Sequence, residues 1–598
     1  MKRCPFLKKP VIAGLAVAII VVAIAGYWLS LPTPPPPKVT TTTTAATTTP
    51  RKGGTLTIGV AKEPNSLDPT IALLDFPQFT GLKALYEGLV ISDLEGNIKM
   101  ALAESYQQLN DTTYVFRLRK GVKFHDGTPF NASCCVFMDK YIREGPGTQG
   151  RTDWKTKVKS VEALDDYTVR YTLTQKSPTF VSDMMRVGPT GGIPSPSAIK
   201  KWGQEFGTHP VGTGPFKFVE WVRGSTVKLA ANDEYWQGRP DMDAMVLKYI
   251  PDEAVRIMEL KSGTAELIPV PLKFASDLKR SSGITVLAGT AERQMQLSYA
   301  VTNPNPAYKP YFTDKRVRQA INYAVDKQEI VNIVLDGWAA VSVGVVRYGY
   351  LGYPPYLAKY TYNVTKAKQL LAEAGYPNGF ECELLTEAKD FRPYAEDSAV
   401  LIKNQLAKVG IKVNIKVVDG AAFANMRFKQ EFDLAMGGWR GNGLADTPHA
   451  ILNRVHSRNA GPGAGQWNWE NIRDARLDSL IEKLEATPLE DVATWKPLSD
   501  EIQRIVIEEA YECPLFDEYR VHATTAKVKG YALDPTIGAQ IWAPQIGVKV
   551  SLDQTGAKQS AAMAAGVTFG PQRCNNLIST LFVTSVVTHK DLGANLPN

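Results

Sequence analysis

Apolar and polar residues change their spacing near the middle of the chain. Before residue 300, apolar residues alternate with polar or small ones, as at Leu56, Ile58 and Val60, and this period of two predicts β-strands. Further alternating runs lie at 114–124, 167–173, 216–221 and 227–229. Turn residues such as Asp126-Gly127 border these runs, so the first half is predicted to be rich in hairpins.

After residue 300 the apolar residues follow the period of a helix. Apolar positions between 317 and 325 share one helical face, which predicts a helix that Asp314 caps and Gly337 ends. Helical spacing returns at 367–374 and 401–409, and an alternating run at 411–417 predicts a strand. Helices that alternate with strands predict an α/β lobe.

The first 31 residues have a different pattern from the rest. Lysine and arginine precede an uncharged apolar run from Val11 to Leu31, which as a helix is long enough to cross roughly 30 Å of hydrocarbon. The basic residues on its N-terminal side place the rest of the chain outside the cell. We therefore expect 1–31 to be an N-terminal anchor, with a cleaved signal, cut near the small residues at 23–25, as the alternative.

A linker follows this apolar segment. Residues 32–52 consist largely of proline and threonine, and such a composition cannot bury enough apolar surface to form a core. The remainder is long enough for several domains, because the 598 residues are 44% hydrophobic and 21% charged, as in ordinary globular proteins.

Charge and motifs exclude several classes of function. The net charge is +8, but basic residues are interleaved with acidic ones, so we expect no nucleic-acid partner. None of the six cysteines forms a C-x-x-C pair, and we expect no metal or cofactor. His125, beside a turn, is expected to be structural. The sequence has no H-E-x-x-H, G-x-S-x-G or Walker motif, so no catalytic residue is assigned. Paired carboxylates leave a tethered hydrolase open as an alternative.

Several longer segments carry a family resemblance. They are GGTLTIGVAKEPNSLDPT, TYVFRLRKGVKFHDGTPFNAS, HPVGTGPFKFVEW and DKRVRQAINYAVDKQEIV. In this order they resemble extracellular solute-binding protein family 5, the oligopeptide-, dipeptide- and nickel-binding proteins of ABC importers. The resemblance covers about 53–548. It implies an α/β fold of the periplasmic-binding-protein type II, with two lobes, an additional domain and hinge closure over the ligand.

The resemblance also implies a division into domains. The expected segments are 1–31 (anchor or signal), 32–52 (linker), 53–92, 206–300 and 516–550 (three parts of domain I), 93–205 (domain II), 301–515 (domain III) and 551–598 (an extension without an assigned role).

One wall of the ligand site is carried over onto the segment FDLAMGGWRGNGLADTPHAIL. In peptide binders a Gly-Trp segment bonds the ligand backbone, and here Gly438, Trp439 and Arg440 occupy it. Those proteins place an acidic residue three positions after the tryptophan, to hold the α-amine of the peptide, and this chain has Asn442 there. Asp446 is the alternative, because one extra residue in the loop shifts the register.

On the other wall, the resemblance assigns ligand contacts to Leu74, Asp75 and Phe76. The strand at 411–417 is followed by small and polar residues where peptide binders place a second aromatic side chain. The cargo is therefore predicted to be peptide-like, and an oligosaccharide or a metal chelate is left open.

These observations predict a monomeric, non-enzymatic binding protein on the outer face of the cytoplasmic membrane. Its expected partners are a peptide or small-molecule ligand and the permease and ATPase subunits of an ABC importer, with the membrane contacted through the N-terminal anchor.

Overall fold

The structure is a computed structural model that describes most of the chain beyond the linker. The described residues are 53–71, 76–94, 97–145, 149–177, 179–185, 192–302, 305, 307–357, 360–389, 392–440, 452, 454–461, 468–489, 491–533, 540–544 and 547–553. Within these ranges, no helix has both the length and the apolar character that a membrane span requires. The predicted anchor and linker lie outside the described residues, and so does the predicted C-terminal extension after Asp553.

The two longest described strands, β12 and β17, pair with each other where the two halves of the chain meet. In chain order they are β1 Thr55–Val60, β2 Val90–Ser92, β3 Ile98–Met100, β4 Ala103–Asn110, β5 Thr113–Leu118, β6 Val158–Asp165, β7 Thr168–Leu173, β8 Phe216–Val222, β9 Thr226–Ala231, β10 Ala244–Tyr249, β11 Leu267–Pro269, β12 Ile284–Tyr299, β13 Ala339–Val341, β14 Glu381–Glu387, β15 Lys412–Val418, β16 Leu434–Arg440, β17 Cys513–Thr525, β18 Val528–Lys529, β19 Trp542–Ala543, β20 Val548–Lys549 and β21 Ser551–Leu552.

Seven of the fourteen described α-helices precede residue 300, so helices are not confined to the second half as the change of period predicts. Their bounds are Phe76–Leu85, Ala132–Glu144, Gln149–Lys157, Phe180–Asp183, Pro196–Trp202, Glu253–Ser262, Leu272–Arg280, Lys315–Ala324, Lys327–Val334, Val364–Glu373, Ala395–Ala407, Gly420–Phe428, Ala475–Ala486 and Val492–Glu508.

One sheet connects the two halves of the described chain. Its strands follow the order β15-β14-β16-β12-β17-β11-β1-β10-β9-β8, with β13 beside β17. Strands β14, β15 and β16 are mutually parallel, whereas β12 is antiparallel to both β16 and β17. A separate four-stranded antiparallel sheet, β4-β5-β7-β6, contains the predicted hairpins around positions 114 and 170. The α/β class is therefore present as predicted.

The largest hydrophobic cluster runs across both halves. It joins Leu260 and Leu278, on two helices of the first half, to Leu297 of β12 and Ile402 of the second half. A second cluster surrounds β1, and a third lies on the four-stranded sheet. Because one core includes side chains from both halves, the strands that link them are held on a packed surface.

The predicted helix that starts after Asp314 is two helices in the structure. Asp314 does cap Lys315–Ala324, but Val325 is extended and its neighbour Asp326 caps a second helix, Lys327–Val334, by accepting a hydrogen bond from the Glu329 amide. The apolar period continues across the break, so the spacing alone does not reveal it. An aspartate that can cap a new helix competes with continuation of the old one.

His125 has the structural role expected of it. Its Nδ1 accepts a hydrogen bond from the Gly212 amide at 3.2 Å, and its Nε2 therefore carries the proton and donates to the Gly214 carbonyl at 2.9 Å. Gly212 packs so closely that a Cβ there would lie 2.0 Å from the carbonyl oxygen of Leu85. Burial lowers the pKa of His125 to about 4, so the ring is neutral at pH 7.

Glu87 is a buried carboxyl group whose hydrogen-bond donors among the described residues are all neutral. They are the hydroxyls of Thr213 and Tyr235 at 2.9 and 2.8 Å, and the indole of Trp236 at 2.9 Å. Burial raises the pKa of Glu87 to about 7, and these hydrogen bonds oppose the rise. A carboxyl group with a raised pKa stabilises the folded protein at low pH, and this contribution is lost as the pH rises through 7.

We predict that Glu87→Gln weakens the pH dependence of folding stability, because glutamine resembles the protonated acid. Relative to wild type, the variant should gain stability between pH 5 and pH 8, as measured by urea unfolding at several pH values. The matched control is Glu205→Gln at an exposed position, which should leave the pH profile unchanged. A constant difference between Glu87→Gln and wild type over this range would contradict the prediction.

Candidate ligand-binding site

The parallel strands β14, β15 and β16 run in the same direction, and their carboxyl ends together form one edge of the large sheet. Two helices begin at the same edge: Ala395–Ala407 follows β14, and Gly420–Phe428 follows β15 and is capped by Asp419. In α/β sheets, ligands bind at the carboxyl ends of parallel strands, where connecting loops and helix N-termini meet. This edge is therefore the candidate site.

The last four residues of β16 present a free strand edge. On one side, β16 pairs with β12 along its whole length, from Leu434 opposite Tyr299 to Arg440 opposite Arg293. On the other side, β14 reaches only as far as Met436, so 437–440 have no strand partner there among the described residues. Backbone groups at such an edge can pair with an extended peptide as an added strand.

Two glycines at this edge bring the backbone close to its neighbours. A Cβ at Gly438 would lie 2.2 Å from the carbonyl oxygen of Gln294 and 2.6 Å from the sulfur of Met295. At Gly437, a Cβ would lie 2.4 Å from Nη1 of Arg427. Neither position has room for a side chain, so only glycine fits at this part of β16.

The structure describes four of the predicted site residues. Gly438, Trp439 and Arg440 are consecutive at the end of β16, although only the backbone of the last two is described. Phe76 is the first residue of helix Phe76–Leu85, and its side chain is not described. Leu74, Asp75, Asn442 and Asp446 lie outside the described residues. Their roles in ligand binding stay predictions.

A cluster of buried charges lies beside the free edge, and sequence reasoning missed it. Arg392 is ion-paired with Glu387 at the end of β14. Arg293 of β12 lies 3.9 Å from Glu518 of β17. These partners come from separate strands and loops, so no local motif in the sequence marks them as a group.

Arg454 joins the buried charges to the central strands. Its Nη2 donates to Glu512 at 3.0 Å, and its Nη1 donates to Gln296 of β12 at 3.1 Å. The amide of Gln296 in turn donates to Glu470 at 2.9 Å. Burial raises the pKa of Glu512 to about 7, and the positive charge of Arg454 opposes that rise.

Arg427, on helix Gly420–Phe428, is the arginine whose guanidinium lies against Gly437. Its side chain is 4% exposed, and its Cζ lies 3.3 Å from the ring centre of Trp469 and 5.2 Å from that of Phe423. Burial lowers its pKa to about 9. A desolvated cation–π contact supplies about 2 kcal/mol, whereas removing a guanidinium from water costs several kcal/mol. The aromatic rings alone therefore do not compensate the burial of this charge.

A tyrosine-lined cavity of about 690 Å³ adjoins the central strands. It lies against Ala288 and Gly289 of β12 and Tyr519 of β17, and its remaining lining comes from residues 348–353. The rings of Tyr348 and Tyr519 are 5.5 Å apart. The signal in the sequence is the run YGYLGY, which places three tyrosines within six residues.

Within the described ranges, no group of three or more histidine, cysteine, aspartate or glutamate residues is arranged to hold a metal ion.

The chain is similar to known proteins over most of its length. Residues 97–462 match the family model of the bacterial extracellular solute-binding proteins, family 5, middle region. The glutathione-binding protein GsiB of Shigella boydii serotype 4 is 31% identical over 493 residues, which are 81% of this chain and 93% of GsiB.

Two solved structures are similar in fold. HbpA2 from Haemophilus parasuis superposes with a TM-score of 0.75 at 27% identity, over 83% of this chain and 100% of HbpA2. The periplasmic binding protein DppA from Helicobacter pylori, in complex with the peptide STSA, gives 0.65 at 28% identity, over 84% and 99%. These similarities confirm the predicted fold class.

We predict that Arg454→Met lowers the free energy of unfolding by about 3–5 kcal/mol, because the substitution leaves the Glu512 carboxylate buried without its ion-pair partner. Adding Glu512→Gln removes the stranded charge and should recover part of that loss. Urea unfolding of the two single variants and the double variant gives the coupling energy, which we expect to be about 1–3 kcal/mol. Additive effects would contradict the pairing.

Proposed function

Since this chain belongs to the bacterial extracellular solute-binding proteins of family 5, we propose that it captures a peptide or peptide-like solute outside the cytoplasmic membrane. It then delivers the solute to the permease of an ABC importer, whose ATPase subunits drive uptake. Family membership agrees with the resemblance found in the sequence.

The observation that carries this proposal is the free edge of β16. Residues 437–440 are aligned by β12 on one side and lack a strand partner among the described residues on the other. A peptide that pairs there gains main-chain hydrogen bonds whatever its side chains are, which suits capture of varied sequences. Because 437 and 438 are glycines, β16 itself places no side chain between its backbone and a paired peptide at these two positions.

The relatives support cargo of this kind. GsiB is named for binding glutathione, and the Helicobacter pylori protein was solved with a bound tetrapeptide. GsiB and DppA are binding proteins by name, and HbpA2 has a similar fold. We propose binding without catalysis for this chain as well.

We further propose that the chain acts as a monomer tethered through its N-terminal segment. The tether is supported by the uncharged apolar run from Val11 to Leu31, which basic residues precede and a proline- and threonine-rich linker follows. A tether would keep the binding protein close to its permease and raise the local concentration of loaded protein.

We predict that peptides raise the melting temperature of the purified protein. A ligand at 100 times its dissociation constant stabilises the folded state by about 2.7 kcal/mol, which a thermal-shift assay detects readily. The panel contains glutathione, di- to tetrapeptides, a maltooligosaccharide and a nickel–histidine chelate. Ligand recovered after the assay and analysed by chromatography should be unchanged. Stabilisation by the sugar or the chelate alone, or turnover of a peptide, would contradict the proposal.

We predict that Asn442→Asp tightens the binding of peptides with a free α-amine. A carboxylate in place of the amide adds a charge-assisted hydrogen bond, so affinity should rise about 10-fold or more, as measured by isothermal titration calorimetry. N-acetylated peptides serve as the control and should bind the variant no better than wild type. If Asn442→Asp changes nothing and Asp446→Asn weakens binding, Asp446 is the anchor of the amine.

A further inference from the structure

The tyrosine-lined cavity has no charged side chain among its described lining residues. The aromatic part of this lining consists of Tyr348, Tyr350, Tyr353 and Tyr519. The remainder is alanine and glycine, and the cavity has a volume of about 690 Å³. This volume lies in the range of small-molecule sites, and the uncharged lining favours a ligand group that carries no charge.

Three of the tyrosine rings contact one another at steep angles. The ring of Tyr348 lies 5.5 Å from that of Tyr353 at an interplanar angle of 78°, and 5.5 Å from that of Tyr519 at 56°. Tyr348 is nevertheless 40% exposed. Aromatic rings prefer such edge-to-face and tilted contacts, so a further ring against Tyr348 gains an attraction that an aliphatic group of the same size does not.

The hydroxyl groups of these three tyrosines are available to a ligand. Among the described residues, no group forms a hydrogen bond with the hydroxyl of Tyr348, Tyr353 or Tyr519. By contrast, the hydroxyl of Tyr356, outside the cavity, accepts a hydrogen bond from Lys496 at 2.8 Å. A ligand ring with a polar atom at its edge, such as a phenol or an indole, can pair with hydroxyls that an aliphatic group would cover and leave unpaired.

The backbone of Tyr348 is fixed in the structure without a ligand. Its amide donates to Oδ2 of Asp517 at 2.8 Å, and its carbonyl accepts from the amide of Ala291 at 3.1 Å. Asp517 belongs to β17 and Ala291 belongs to β12, so this tyrosine is attached to both central strands. Because its position is set in advance, binding a ligand there orders less of the chain.

The cavity lies close to the free edge of β16 along the chain of β12. Arg440, the last residue of β16, pairs with Arg293, and Gly289 of the cavity lies four residues further along β12. A strand rises about 3.3 Å per residue, so this separation is at most about 13 Å. A peptide of a few residues that pairs with the edge can therefore place a side chain in the cavity.

We propose that this cavity binds an uncharged aromatic group of the cargo, with an indole or a phenol bound more tightly than a plain phenyl ring. The proposal rests on the proposed function and adds a preference to it, because pairing at the strand edge does not depend on the side chains of the peptide. The ligand ring packs against Tyr348, and the hydroxyls of Tyr353 and Tyr519 supply hydrogen bonds to its polar edge.

The test compares side chains of similar size. Calorimetry on the full-length protein uses tetraalanine and tetrapeptides in which one alanine at a time is replaced by tryptophan, phenylalanine or cyclohexylalanine, which has the shape of phenylalanine without its π system. At one position, tryptophan should tighten binding about 10- to 100-fold over alanine, and phenylalanine should bind about 3- to 10-fold tighter than cyclohexylalanine. In Tyr348→Leu, phenylalanine and cyclohexylalanine should bind within about 2-fold of each other.

The matched control is Tyr356→Leu. Tyr356 is 60% exposed and is not among the described lining residues, so this variant should keep the preference for the aromatic ring. Thermal melts of each variant verify folding. Should Tyr348→Leu fail to fold, Tyr519→Leu replaces it with the same expectation, because the two rings are in contact.

The outcomes separate this inference from the proposed function. If peptides bind the wild type but an aromatic side chain gives no gain at any position, the assignment of the cavity is overturned and peptide capture stands. A preference that persists in Tyr348→Leu or its replacement also overturns the assignment.

If no peptide binds, the proposed function fails, and N-acetyl-tryptophanamide, an uncharged aromatic probe, tests the cavity by saturation-transfer NMR. Binding to the wild type that Tyr348→Leu abolishes supports the aromatic site without peptide capture. Failure of the probe to bind the wild type, or equal binding to both proteins, overturns it.

Discussion

The pairing of β12 with β17 is the interaction on which the rest of the fold depends. Near Ile284 the pair belongs to the half of the sheet that contains β1, and near Leu297 it belongs to the half that contains β16. Register shifts between Ala288 and Arg293 let the two strands turn between these surroundings. Because β16 takes its register from β12, the position of the free edge at 437–440 is a consequence of the same pairing.

Buried charge is the second constraint, and it acts through the same strands. Arg454 reaches Gln296 of β12 and Glu512 just before β17, so its segment is fixed to both strands by groups that cannot be left unpaired at low cost. The arrangement makes the folded state less stable than an apolar core of the same size would, because removing charged groups from water costs free energy. What it provides is a set of buried polar contacts that join the segment of Arg454 to the central strands.

The sequence predicted the parts of this molecule that depend on local spacing. Alternation identified strands such as Leu56 to Val60 and hairpins such as Phe218 opposite Leu229, because the two faces of a strand meet different surroundings. It missed the break at Val325, where the cap at Asp326 competes with an unbroken apolar period. It also missed the charge cluster, because burial of Arg427 depends on Trp469, a residue remote in sequence. The resemblance to family 5 located Gly438, whereas local patterns alone did not.

The order of strands also constrains how the chain can fold. Strand β11 lies between β1 and β17, and Leu267 pairs with Thr524, so the first half of the chain cannot complete its sheet until nearly all of the described chain has been synthesised. Until then, β11 and most of β12 have unpaired backbone edges next to apolar side chains, which favours association between chains. In this topology the pairing that completes the sheet, that of β17 with β11 and β12, is also among the last that the growing chain can form.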